Sequence, residues 1–234
     1  MCREKILTDN LDRVEKIISL ASQKAALPRE AVSLMAVTKY AQDKDVLALL
    51  AAGRLRHIGE SRVQQACLRW TNPIFAKYPV QKHFIGHLQK NKAAKAVELF
   101  DFIDSVDSLS LAETLSRCSV KKGKNLRVLV QVKLTDKDTQ SGLPLAQARE
   151  LAKQIASLPG LTVCGYMAIA PQVQDPQELR GLFRAVRRAF EEDFPLKERW
   201  LSLGMSADFA VAVEEGSTLP RVGSDIFARN LEDL

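Results

Sequence analysis

Lys39 closes the apolar run Leu34-Met35-Ala36-Val37-Thr38 and is followed at once by Tyr40. Such a run reads as a buried strand, and a charged lysine at its C-terminal end is costly unless it has a task. A lysine amine in an apolar setting loses affinity for its proton and becomes a nucleophile able to condense with carbonyl compounds. A strand-end lysine can also simply snorkel to water. The far end of the chain favours the reactive reading. There, Ser202-Leu203-Gly204-Met205-Ser206 and Arg221-Val222-Gly223-Ser224 form two Gly/Ser-rich turns suited to a phosphate. Gly204 and Gly223 carry no Cβ, so a ligand can approach the backbone closely. Ser206-Ala207-Asp208 reads as a helix start, whose free N–H groups and positive dipole end attract anions. Ser206 can equally serve as a plain N-cap, worth about 1 kcal/mol.

These residues need elements to place them. Hydrophobic spacing predicts an amphipathic helix over 4–25, with Ile6, Leu11, Val14, Ile17, Ile18 and Ala21 on one face. Strands are expected at 32–38, 56–58, 83–85, 102–103, 126–132, 161–169, 200–202 and 218–222. Helices are expected at 43–52, 61–70, 91–99, 109–119, 144–157, 175–193 and 206–215. Alternating strands and helices imply a parallel sheet covered on both faces. Eight such units in a chain of 234 residues match an α/β fold, a (β/α)8 TIM-like barrel with one extra N-terminal helix. The competing architecture is an open doubly wound sheet, but no GxGxxG follows the first strand. In a barrel the site lies at the C-terminal strand ends. Lys39, Gly59-Glu60-Ser61, Gly86-His87, Gly204 and Gly223-Ser224 all fall there.

Composition narrows the classes. Hydrophobic residues at 46% support a sizeable core, and no linker divides residues 1–234, so one domain is expected. No apolar stretch is long enough to span a bilayer and no signal-peptide core follows Met1, so the cytoplasm is the default location. Cys2, Cys67, Cys118 and Cys164 are scattered without a CxxC pair or a nearby histidine, which points to separate thiols and no metal site. The net charge of +6 is dispersed, and Lys82, Lys90, Lys92 and Lys95 lack interleaved aromatics. A solvated face that attracts small phosphorylated ligands fits better than nucleic-acid binding.

A reactive lysine and a phosphate cradle on one rim point to an aldehyde that carries a phosphate, and pyridoxal 5′-phosphate (PLP) fits. Arg221, beside the cradle, adds a constraint. An acidic partner normally keeps the pyridine nitrogen protonated, and an arginine cannot accept that proton. If Arg221 meets that nitrogen, carbanion chemistry is poorly supported.

The motifs Ala36-Val37-Thr38-Lys39, Ile58-Gly59-Glu60-Ser61-Arg62-Val63-Gln64 and His83-Phe84-Ile85-Gly86-His87-Leu88-Gln89-Lys90-Asn91-Lys92 carry a family resemblance. So do Ser105-Val106-Asp107-Ser108, Leu201 to Phe209, and Arg221-Val222-Gly223-Ser224-Asp225-Ile226-Phe227. In order, they resemble the pyridoxal phosphate homeostasis proteins, single-domain relatives of the alanine racemase N-terminal barrel. The resemblance covers Leu34 to Arg229. It implies that Lys39 holds PLP as a Schiff base and that Arg221 meets the pyridine nitrogen. It also implies that Ser206, Gly223 and Ser224, with the backbone around Met205, hold the phosphate. Proteins of this family are generally monomers without robust catalysis. They are thought to store, deliver or buffer PLP, with apo PLP-dependent enzymes as candidate recipients, and to affect amino-acid and keto-acid balance.

This chain departs from the family pattern in places. Ser61 stands where the family usually has an asparagine near the cofactor, so that contact is shortened or replaced. Gln140 precedes Ser141-Gly142 where a lysine is common, Ser224 replaces a frequent threonine, and Ala228 a usual glycine. The alternative reading is a PLP-dependent amino-acid racemase of narrow or weak activity. Racemisation needs a base on each face of the Cα. In alanine racemases the second base comes from a C-terminal domain and a partner subunit, whereas this sequence ends at Leu234, just past the barrel. Tyr40 or His87 could serve as a stray base, though packing or hydrogen bonding accounts for both.

Overall fold

Short apolar runs become strands wherever both faces can be covered, and this chain alternates such runs with amphipathic helices throughout. The computed structural model describes residues 2–135, 141–195 and 199–228. Eight parallel strands appear among them: β1 (Met35–Val37), β2 (His57–Glu60), β3 (Gln81–Phe84), β4 (Phe102–Val106), β5 (Leu126–Lys133), β6 (Leu161–Ile169), β7 (Trp200–Ser202) and β8 (Arg221–Val222). Ten helices accompany them: α1 (Arg3–Lys24), α2 (Asp43–Ala51), α3 (Val63–Trp70), α4 (Pro73–Ala76), α5 (Ala93–Leu99), α6 (Leu109–Lys121), α7 (Leu145–Ala156), α8 (Arg180–Asp193), α9 (Phe209–Glu214) and α10 (Ser224–Phe227). The sheet order is β7-β6-β5-β4-β3-β2-β1-β8. This is the expected (β/α)8 barrel, closed except for one irregular seam.

That seam lies between β7 and β8. The expected last strand, 218–222, pairs regularly only at Arg221–Val222. Pro220 has no N–H to give to a ladder. The residues before it instead tie to β7 irregularly, Thr218 N and Leu219 N both donating to Leu201 O at 2.9 and 3.1 Å. Arg221 N then reaches Gly204 O at 3.0 Å.

Two shells of apolar side chains clothe the barrel. One joins α3 and α5 to α8 to the outer faces of β3 to β7. The other packs α1, α2 and α9 on β1, β2 and β8, and includes Leu7, Leu11, Val14 and Ile18 from α1. Each of these four is fully buried and contributes about 1.5–3 kcal/mol. The barrel interior holds a small apolar group, Phe102, Leu129, Cys164 and Met167. The extra helix α1 also serves the rim. Arg3 bridges Asp45 at 2.7 Å and donates to the carbonyls of Phe227 and Ala228 at 2.8 Å each. Asn10 donates to Ile226 O at 3.2 Å. Together they fix α10 behind the Gly223-Ser224 turn.

Hydrophobic spacing does not predict three of the helical segments: α4, α10 and a 3-10 turn at Arg29–Ala31. For α4 the signal is local, since Asn72 accepts the Ile74 N–H and Pro73 occupies the first turn. The helix expected at 206–215 starts only at Phe209. The four cysteines are free thiols, and among the described residues no cluster of His, Cys, Asp and Glu could hold a metal. No helix among them is long and apolar enough to cross a membrane.

Candidate functional site

Side chains alternate along a strand, so Met35 and Val37 share one direction. Lys39 lies just beyond β1, half-buried, in a turn from Thr38 to Ala41 closed by Ala41 N donating to Thr38 O at 3.0 Å. Its Nζ stands 5.2 Å from the centroid of the Tyr40 ring and has no hydrogen-bond partner among the described residues. Tyr40 is itself 80% exposed, which removes packing from the two roles expected for it, packing or hydrogen bonding. Two clefts meet at this turn. One, of about 280 Å3, runs from Val37, Lys39, Tyr40 and Ala41 to Gly223, Ser224, Phe227 and Ala228. The other, of about 410 Å3, lies toward Asp43, Glu60, Gln65, Leu68 and Arg69.

The residues expected to hold a phosphate converge, although in different individual settings. The Gly223 N–H donates to Ser206 Oγ at 3.4 Å, which brings the two Gly/Ser turns together. Ser224 is exposed at the first position of α10, its hydroxyl 3.1 Å from Asp225 Oδ1. The backbone N–H groups of Ser206, Ala207 and Ser224 have no partner among the described residues. Ser206 is not an N-cap: α9 begins three residues later, after a turn in which Asp208 Oδ1 accepts the Met205 N–H at 2.5 Å. Met205's own N–H is therefore engaged, and its side chain is exposed. Burial raises the Asp208 carboxyl above its ordinary range, which the Met205 N–H and Arg221 oppose.

Gly204 has a cause other than ligand approach. At φ +88° its Cβ would sit 2.6 Å from Ala212 Cβ and 2.7 Å from Phe209 Cα, so α9 packs directly onto it. Gly223 is similar in kind, with a Cβ 3.0 Å from Val37 O. Ser61 follows β2 and presses its carbonyl against Gly86, where a Cβ would lie 2.2 Å away. It is half-buried on the rim and lines neither Lys39 cleft. His87 is exposed, 4.0 Å from Asp107. Gln140 lies outside the described residues.

Arg221 is buried in the barrel wall one strand position below the Gly223 turn. Its Nη1 donates to Ser202 O and Oγ at 2.7 and 2.8 Å, and its Nη2 to Ala168 O at 2.8 Å. The guanidinium thus bridges β6, β7 and β8 across the irregular seam. Burial pulls its pKa down to about 10, against the attraction of Asp104 and Asp208, so it stays charged at neutral pH. A guanidinium has five N–H donors. Three are occupied here, and the other two have no partner among the described residues.

Two buried groups escape a reading of the sequence. Across the barrel interior, His57 Nδ1 is 3.0 Å from His83 Nε2, and His83 Nδ1 is 3.0 Å from Asp104 Oδ2. Phe102 stacks on His83 with ring centroids 4.2 Å apart. Behind the Lys39 turn, Glu60 is 1% exposed, and Thr38 Oγ1 and Arg69 Nη1 donate to its Oε1 at 2.7 and 2.5 Å. Its Oε2 is buried without a partner among the described residues. Burial lifts the Glu60 carboxyl above the usual range, and the Thr38 and Arg69 bonds work against that. A glutamate ending a buried strand is the available signal, because it requires a cation nearby.

Comparison with known proteins identifies the family and the fold. The model of the alanine racemase N-terminal domain family matches residues 10–230. The pyridoxal phosphate homeostasis protein of Pasteurella multocida is 33% identical over 228 residues, 94% of this chain and 96% of that protein. PipY of Synechococcus elongatus PCC7942, solved with PLP bound, is 37% identical, with a TM-score of 0.78 over 91% of this chain and 100% of its own. Alanine racemase of Clostridium difficile 630 superposes with a TM-score of 0.71 at 14% identity, covering 95% of this chain and 57% of that one, a likeness of fold alone. Match length, identity and barrel agree: the chain belongs to the pyridoxal phosphate homeostasis proteins, within the alanine racemase N-terminal domain family.

Proposed function

We propose that this protein binds pyridoxal 5′-phosphate and serves in its homeostasis as a store, carrier or buffer, with Lys39 as the attachment amine and no substantial catalysis. The observation that carries this is the cleft joining Lys39 at one end to Gly223 and Ser224 at the other. Its donor set fits the group. One end offers a primary amine and the other hydroxyls and backbone N–H groups suited to a phosphate, the amine and these N–H groups having no partner among the described residues. The PLP-bound relative at 37% identity supports the same ligand.

When bound, PLP supplies an aldehyde carbon that a primary amine attacks reversibly, the carbonyl oxygen leaving as water. The protein's own residues hold and orient the ligand. Ser206, Gly223 and Ser224 hold the phosphate, and the exposed Met205 side chain borders that end. The remaining N–H donors of Arg221 would serve the pyridine nitrogen. A charged donor at that nitrogen disfavours ring protonation, which supports a reversible tether over carbanion chemistry. Ser61, which lines neither cleft, acts on the rim only through the close contact of its backbone with Gly86.

The homeostatic role is tested by transfer of PLP from the loaded protein to an apo PLP-dependent enzyme, compared with free PLP at the same concentration. Faster transfer than spontaneous release supports a carrier, and transfer at the release rate supports a buffer. Amino-acid racemisation well above the rate with free PLP would overturn the non-catalytic reading.

A further inference from the structure

The turn that carries Lys39 is fastened by one guanidinium. Arg69, on α3, is 11% exposed and reaches under the turn. Its Nη1 donates to Thr38 O at 3.1 Å and to Glu60 Oε1 at 2.5 Å. Its Nη2 donates to Ala41 O at 2.9 Å, and its Nε to Asp43 Oδ1 at 2.7 Å. The two carbonyls bracket Lys39 and Tyr40, the two carboxylates belong to β2 and α2, and the arginine belongs to α3. Three elements are thus locked to the backbone on either side of Lys39.

We infer that Arg69 is a positioning residue for Lys39: it fixes the Thr38–Ala41 turn so that the Lys39 amine is presented to an incoming aldehyde. This rests on the reading of Lys39 as the attachment amine. Apart from Arg69, the turn has its internal bond, Ala41 N to Thr38 O, and two bonds at its Thr38 end, Thr38 N to Gly59 O and Thr38 Oγ1 to Glu60 Oε1, so no other hydrogen bond among the described residues ties Ala41 to the barrel wall. The tip residues add little restraint, since Tyr40 points to solvent and the Lys39 Nζ has no hydrogen-bond partner among the described residues. A planar fork suits the task, because it presents several donors in fixed directions at once, whereas a lysine ammonium is a single point. Glu60 holds the fork. Its Oε1 accepts from both Arg69 and Thr38, so the clamp starts from a side chain fixed in the barrel wall. Orientation of a nucleophile affects rate more than ligand affinity, so the clamp's effect is separable from the binding of the phosphate end.

The test compares wild type, Arg69→Ala, Arg69→Lys and Lys39→Ala in three readouts. The first is the rate of PLP capture, followed by absorbance. The second is affinity for pyridoxine 5′-phosphate, which has an alcohol in place of the aldehyde and cannot attach to a lysine. The third is amide hydrogen exchange of residues 38–42 without ligand. In Arg69→Ala, capture slows by about tenfold or more, pyridoxine 5′-phosphate affinity stays within about twofold, and exchange at 39–42 rises. Arg69→Lys recovers part of the rate. A folded Arg69→Ala protein with wild-type capture and exchange overturns the inference. If that variant does not fold, Arg69→Gln, which keeps an N–H donor and most of the bulk, carries the same comparison. If wild type captures no PLP, the attachment reading falls, and exchange alone decides the clamp.

Discussion

Replacing Arg221 by alanine tests two roles of that side chain, the one seen in the barrel seam and the one proposed toward bound PLP. β7 and β8 are joined by irregular bonds, and the Arg221 guanidinium adds three more to Ser202 and Ala168. Two of the acceptors are main-chain carbonyls on buried strand ends. Losing a donor to a buried carbonyl costs about 1–3 kcal/mol each. Removing a buried charge returns part of that, because the guanidinium no longer has to stay out of water. The net expectation for Arg221→Ala is a loss of about 3 kcal/mol. Arg221→Lys loses less, since an ammonium keeps the attraction of Asp104 and Asp208 and can reach one carbonyl. Urea unfolding without ligand measures this as a shift in midpoint at constant slope. A change below about 0.5 kcal/mol in Arg221→Ala would refute the structural role and leave Arg221 with the ligand alone. Repeating the titration with PLP present separates the two roles, because any loss of ligand stabilisation appears on top of the loss measured without it.

Other buried groups give further expected outcomes. The pKa of His57 is pulled down to about 3 by burial and by His83, Arg127 and Arg56. Unfolded histidines titrate near about 6.5, so between about pH 6.5 and about pH 3 the unfolded chain holds a proton the folded one refuses. Stability therefore falls as pH drops through that window, by on the order of 1 kcal/mol per pH unit from this group. His57→Gln flattens that part of the urea-derived stability profile, and an unchanged slope contradicts the assignment. Gly204→Ala places a Cβ against Phe209 Cα at a positive φ, and should destabilise by about 2–4 kcal/mol in the same assay. A neutral result there would mean that α9 shifts freely away from the turn.

Much of this barrel is readable from local pattern, and the exceptions have identifiable causes. The long runs Leu126–Lys133 and Leu161–Ile169 are apolar and β-branched enough to fix two central strands without tertiary knowledge. At Thr218 to Val222 the same apolar reading overshoots, because Pro220 removes a ladder donor. The start of α9 moves because Asp208 closes a turn on Met205, a contact that no periodicity encodes. Lys39, Gly223 and Ser224 are legible because strand ends converge on one rim in this architecture. Gly204 reads as room for a ligand and proves to be room for α9. Arg69 is illegible for a different reason. Its four acceptors lie on the Thr38–Ala41 turn, at Asp43 of α2 and at Glu60 of β2, and only the folded chain brings them within reach of one side chain. The His57–His83–Asp104 chain is similar, assembled by the parallel register of β2, β3 and β4.

The central claim, that Lys39 is the amine to which PLP attaches, is tested most directly by locating the attachment. The protein is saturated with PLP, reduced with borohydride, digested and mapped by mass spectrometry. The predicted result is a pyridoxyl group on the peptide containing Lys39 and its absence from Lys39→Ala. Label at a different lysine, or none in a folded wild-type protein, would contradict the claim.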